Sequence, residues 1–119
     1  MFVQIAKGAV LLICSVLSMV PKPGNLAALV DLFEAEAVFD RAKSTDGCID
    51  VMMLQQPEQV MVLGFWDDEA AYQRWIDDPH RSNGNDELNN LLAEPISTET
   101  VGGLFDIALS TTNLGVGSL

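Results

Sequence analysis

Long apolar runs alternate with amphipathic stretches along this chain. Gly8 to Val20 is rich in Val, Leu and Ile, the profile of a central strand with both faces covered. Pro21, Pro23 and Gly24 break the run, and Asn25 stands where it can cap a helix. From Leu26 to Lys43, Leu26, Leu29, Val30, Phe33 and Ala37 recur at three- and four-residue steps, with Asp31, Glu34 and Arg41 elsewhere. That spacing predicts one amphipathic helix over 26–43, ended by Ser44-Thr45-Asp46-Gly47. Cys48–Leu54 and Val60–Trp66 are two further strands. The short break between them implies an antiparallel hairpin. Asp67 or Asp68 caps a second helix, whose acidic first turn suits the helix dipole, and Tyr72, Trp75 and Ile76 share one of its faces. Pro79 stops it. A helical piece at about Asp86–Ala93 places Leu88, Leu91 and Leu92 together, and Pro95 ends it. The last strand falls within Ile96–Leu109, with a bulge or bend expected at Gly102-Gly103.

The order is β-α-β-β-α-β, the ferredoxin-like split unit: an α+β fold with a four-stranded antiparallel sheet. The chain reads as one domain over 1–119, with a core from about 8 to 109 and a tail, or an arm reaching a partner, over 110–119. Helices cover one face of such a sheet, so its other face should be polar. Here Val51 to Leu54, Val60 to Leu63 and Val10 to Cys14 are apolar in succession, and both faces ask for cover. A second copy laid sheet to sheet supplies it, so the strands alone predict a homodimer.

Composition points the same way. Hydrophobic residues make up 49% of the chain and charged residues 19%, with a mean hydropathy of +0.24. So little polar surface implies a covered face or a sizeable pocket. Seventeen acids against six bases give a net charge of -11. That charge repels phosphate backbones and anionic membranes, so neither nucleic acid nor membrane is an expected partner. The acids read first as solubilising groups, and a cationic ligand is the alternative. Cys14 and Cys48 lie inside strand runs and read as buried thiols of a cytoplasmic protein, a disulfide between neighbouring strands being the other possibility. No Cys/His cluster marks a metal site. Lys7 and the apolar run after it have a signal-peptide profile, but no small-x-small site follows, and the run is too short to span a membrane.

Some of these segments are more specific. The Pro-Gly break at 20–24, Asp46-Gly47-Cys48 opening the second strand, Trp66-Asp67-Asp68-Glu69-Ala70-Ala71-Tyr72, and Asp78-Pro79-His80-Arg81 together resemble the antibiotic-biosynthesis-monooxygenase-like group over about Val16 to Leu109. The resemblance implies a dimeric α+β barrel with a pocket in each subunit between sheet and helices. It also implies one of several activities. Some members oxidise aromatic polyketide-like compounds to quinones with no flavin or metal, and others bind and degrade haem. The quinone-forming pattern has a Trp, a Tyr six residues later, an Asn four residues before the Trp and an Arg in the following helix. Trp66 and Tyr72 match the first two. Val62 stands in the Asn position, and the Arg position falls near Asp86, with Arg81 close. The haem-degrading pattern has a strand-one Asn, a Trp on the second helix and a distant His. Trp75 matches the Trp, while strand one offers Cys14 and Ser15, the His position falls near Asn85, and His80 comes too early.

The candidate function is therefore a cofactor-independent monooxygenase-like oxidoreductase acting on a small apolar or aromatic compound. A non-catalytic dimeric binding or interaction module is the alternative, and a haem-degrading enzyme the more remote one. Trp66, Tyr72 and His80 are the candidate catalytic residues. Trp66 and Tyr72 would stack on a flat ring, and His80, which titrates near neutral pH, would serve as general base. Trp75, Arg81, Phe33 and Phe65 are the candidate substrate contacts, Arg81 pairing with a phenolate or carboxylate. Each has a plain alternative: aromatic residues at helix and strand ends pack cores, a loop His sits in solvent, and Arg81 has Asp77 and Asp78 for neighbours. Met52, Met53 and Met61 are core filling or a soft pocket wall.

Overall fold

A computed structural model describes residues 3–4, 12–81, 85–96 and 103–110. Its main sheet has strand order β3-β4-β2-β5, all neighbours antiparallel, where β2 is Ile13–Met19, β3 is Cys48–Gln56, β4 is Gln59–Trp66 and β5 is Gly103–Asp106. This is the ferredoxin-like order that the sequence predicts. A second pairing, not anticipated from the sequence, joins β1 (Val3–Gln4) to β6 (Leu109–Ser110). β2 begins at Ile13, and residues 8–11 of the expected first strand lie outside the described residues, as do residues 111–119 of the expected tail. The β3-β4 hairpin turns through Pro57 and Glu58.

Period-two alternation sorts each strand between two faces. Ile13, Ser15 and Met19 of β2 and Val60, Gly64 and Trp66 of β4 are buried, and the helices cover them. Two clusters form there. Met19 and Val60 pack with Leu29, Leu88 and Leu92, and Ile13 and Trp66 pack with Ala71 and Tyr72. The bulge or bend expected at Gly102-Gly103 falls partly outside the described residues, and from Gly103 onward β5 pairs without a shift. A register shift lies between Cys48 and Asp50 on β3.

The predicted helix over 26–43 is two helices, α1 (Leu26–Ala35) and α2 (Val38–Lys43). The break is at Ala37, a non-glycine residue at φ 51° in the left-handed region. In one continuous helix Phe33 and Phe39 would be about 120° apart around the axis, at roughly 100° per residue. The break brings their rings to 6.0 Å, edge to face at 84°. Asn25 is the N-cap of α1, but its side chain makes no capping hydrogen bond. The second expected cap is present: Asp68 Oδ1 accepts from the Ala71 amide at 2.8 Å and starts α3 (Glu69–Ile76). Gly47, at φ 89°, leads into β3 with no room for a Cβ, which would sit 2.5 Å from the Ala71 Cβ. α4 spans Asn85–Leu91. The segment after it is laced to the end of β2 through Lys22 N–Leu91 O at 2.8 Å and Ala93 N–Val20 O at 2.7 Å.

Candidate functional site

Between the helix face of the sheet and α1, α2 and the 77–81 turn lies a cavity of about 100 Å³, open at one side. Strand residues Ser15, Val51, Val62, Gly64 and Trp66 form its floor. Phe33, Phe39 and Trp75 come from the helices, and Arg81, Asn85 and Ile96 from the loops and α4. Ile96 is set there by Asn89, whose side chain donates to the Ile96 carbonyl at 2.6 Å and accepts from its amide at 2.7 Å. A second hollow of about 430 Å³, lined by Val30, Glu34, Asp40 and Met53, shares Phe33 and Phe39 with the first.

Trp66 is 1% exposed and held from two sides. Its indole N–H donates to Ser15 Oγ at 3.0 Å, and Tyr72 meets it edge to face with centroids 5.6 Å apart at 71°. Gly64 makes this possible: a Cβ there would stand 2.7 Å from both Ser15 Oγ and Trp66 Nε1. Tyr72 is buried and does not line the cavity. Burial pushes its phenol above the usual tyrosine range, and the charge of Arg81 acts in the opposite direction. Burial likewise lowers the Arg81 guanidinium from its ordinary value, Tyr72 opposing. Arg81 still carries its charge at neutral pH. Arg41 fixes the turn that bears Arg81, donating to the Glu36 carbonyl and, at 3.3 Å, to the His80 carbonyl.

Four of the seven candidate residues thus converge: Trp66, Trp75, Arg81 and Phe33. Tyr72 braces Trp66 from behind. Phe65 is on the other face of the sheet, where it pairs with Cys14 and Asp50, because adjacent strand residues point to opposite faces and Trp66 points inward. The His80 side chain is exposed and outside the cavity lining, and its backbone amide donates to Asp78 Oδ1 at 2.7 Å. Met53 lines the second hollow, whereas Met52 and Met61 face away with Phe65. Sequence reasoning missed Ser15, Gly64 and Phe39. A serine and a glycine interrupting apolar strands at helix-facing positions were the available signal for the first two. Cys14 and Cys48 are both free thiols.

Among the described residues that line the cavity there is no His, Cys or Met, so a haem iron would lack its usual axial donors there. Among the described residues no cluster of His, Cys, Asp and Glu is suited to a metal, and no helix is long and apolar enough to cross a membrane.

Comparison with known proteins gives the same fold. A conserved protein from Methanosarcina mazei Go1 superposes with a TM-score of 0.66 at 23% identity, over 81% of this chain and 92% of that one. Rv0793 from Mycobacterium tuberculosis gives 0.62 at 17%, over 82% and 93%. SnoaB, a cofactor-independent oxygenase from Streptomyces nogalater, gives 0.62 at 18%, again over 82% and 93%. No curated protein sequence matches the chain. The profile of one family, antibiotic biosynthesis monooxygenase, matches residues 12–87, more than half of the sequence, and the chain belongs to that family.

Proposed function

We propose that this protein is a cofactor-free oxygenase acting on a small hydroxylated aromatic compound. One observation carries the reading: a pocket walled by Trp66, Trp75, Phe33 and Phe39 has the half-buried cation Arg81 at its side. Indole and phenyl walls take a flat ring. A guanidinium in a partly dry site favours the ionised form of a phenol over the neutral one. Such an anion is electron-rich enough to react with O₂ directly. For an anthrone, the ring CH₂ loses two hydrogens and gains one oxygen atom, the other oxygen leaves as water, and the substrate itself supplies all four electrons. No flavin or metal enters this balance, in keeping with the description of SnoaB as a cofactor-independent oxygenase.

The residue roles differ from the sequence expectation. Trp66 and Trp75 hold the ring, Arg81 holds the oxyanion, and Tyr72 positions Trp66. His80, exposed and outside the cavity lining, does not contact the ring. At about 100 Å³ the cavity is smaller than the roughly 150 Å³ that admits benzene, so it takes the edge of a flat ring system and the rest of the substrate lies at its open mouth.

The test is oxygen uptake and quinone absorbance with anthrones and naphthols under air, without added cofactor. We expect turnover by the wild type and a loss of at least about ten-fold in Trp66→Phe. Wild-type rates no higher than those without protein would end the oxygenase reading, and equal turnover in the two proteins would end the role of Trp66. A dimeric module that binds aromatic compounds without turning them over is the second reading. Val62 favours it, because it lines the pocket where the quinone-forming pattern has an Asn, leaving one fewer group to stabilise the anion. Ligand bound but unchanged under air would select it.

The homodimer belongs to this proposal. Met52, Leu54 and Phe105 on the open face of the sheet are 38%, 46% and 58% exposed, and Leu63 and Phe65 lie among them. A contiguous apolar face of this kind marks an interaction surface, and a second copy, which carries the same face, would cover it. The two free thiols are in keeping with the cytoplasm.

A further inference from the structure

We infer that Ser15 is the hydrogen-bond donor that reads a ligand oxygen at the floor of the cavity, so that the pocket selects planar aromatic compounds carrying a phenol, phenolate or carbonyl oxygen. The inference rests on the pocket reading above and names the group that recognises the substrate.

Ser15 is 9% exposed, the one buried polar or charged residue among the described residues. It sits mid-strand on β2, between Gly64 of β4 and Leu104 of β5. Its Oγ accepts the Trp66 indole N–H at 3.0 Å. That bond satisfies an oxygen lone pair and leaves the hydroxyl proton to be donated. Among the described residues no acceptor for that proton is found, and Ser15 borders the cavity. A buried hydroxyl with an unused donor is costly unless a partner arrives.

The surroundings favour a ligand oxygen over a water held there for structural reasons. The same two groups that meet at 3.0 Å leave no space for a side chain at position 64, where a Cβ would be 2.7 Å from each. The cradle is therefore built around this pair. Trp66 N–H spent on Ser15 is not free for a ligand, so the serine is the donor presented to the pocket. Its hydroxyl is polarised by the indole, which makes it a stronger donor than a serine alone. Ser15 on the strands and Arg81, Asn85 and Glu36 on the helices and loops all border the cavity, and a few polar groups among apolar walls fix the orientation of a flat ring.

The experiment measures binding of 2-naphthol and of 2-methylnaphthalene, which have similar shapes but differ in the oxygen, by titration under argon. The wild type is expected to prefer 2-naphthol by about ten-fold. Ser15→Ala should reduce that preference to within two-fold while leaving 2-methylnaphthalene affinity within about three-fold. Ser15→Cys, which keeps the side-chain volume and donates weakly, should fall in the same direction. The Trp66 indole N–H resonance should also move on adding 2-naphthol, and move less with 2-methylnaphthalene, since a donating Ser15 is a better acceptor. Wild-type protein that binds both compounds equally overturns the role of Ser15 and leaves the pocket standing. A preference that survives in both variants, or a parallel loss of both ligands, also overturns it. Failure of either compound to bind the wild type overturns the pocket reading and the inference together.

Discussion

At the scale of single residues the site is organised around Trp66, and the groups touching it have titration behaviour that can be measured. Burial keeps the Tyr72 phenol protonated beyond its ordinary 10.0, with the Arg81 charge pulling the other way. In the unfolded chain the phenol ionises at its ordinary value. Between that value and the higher folded one, the folded state holds a proton that the unfolded state has lost, so stability falls as pH rises. Below about pH 10 the contribution is complete. Tyr72→Phe keeps the ring that braces Trp66 and removes the titration. The unfolding free energy of wild type minus variant, from urea melts between pH 8 and 11.5, should be flat up to the start of that window and then decline. A difference that stays flat or rises throughout would show that the phenol is not held protonated by the fold.

Residue positions were only partly legible in the sequence, and the reason is directional. Trp66, Trp75 and Arg81 could be placed near a pocket only through the family resemblance. Phe65 could not share the pocket with Trp66, because consecutive strand residues face opposite ways. The sequence contained that information, but an aromatic residue next to the key Trp invited the wrong assignment. His80 carries the right chemistry at a turn that directs its side chain to solvent. Ser15 drew little notice because a serine in a strand is ordinary until its partner, Trp66 on a neighbouring strand, is known.

At the scale of elements, continuous apolar runs predicted the strands, and the amphipathic spacing predicted α3, where apolar positions, the Asp68 cap and Pro79 all agree. The helix over 26–43 failed because no Gly or Pro marks Glu36-Ala37 and Ala is the best helix former. Packing of Phe33 on Phe39 overrode local preference. The left-handed φ of 51° at Ala37 gives the sign of a test. Glycine adopts that region without the Cβ penalty, so Ala37→Gly should stabilise the protein by up to about 1 kcal/mol in chemical denaturation. Were the chain one helix through this point, the same change would destabilise by roughly 0.5–1 kcal/mol. The break also sets Phe39 between the two hollows, so the element that the sequence hid is one that shapes the site.

At the scale of the molecule, the two faces of the sheet differ. The helix-facing side of the sheet is closed by two clusters, while the opposite side presents Val16, Met61, Leu63 and Phe65, with Leu54 and Phe105 more exposed than ordinary core residues. A net charge of -11 per copy opposes association at long range, so the apolar face must supply the attraction at contact. Leu63 is central to that face, paired with Val16 on one side and Met52 on the other. In the proposed dimer a carboxylate there would be buried in an apolar interface, which costs several kcal/mol when no counter-charge is near. Leu63→Glu should therefore convert a dimer to a folded monomer in native mass spectrometry, with the far-ultraviolet circular dichroism unchanged, since the side chain points away from both core clusters. The wild type should remain dimeric at micromolar concentration and tighten with added salt as the like charges are screened. A monomeric wild type would mean that this face awaits a different partner, and a variant that stays dimeric would place the contact elsewhere on the surface.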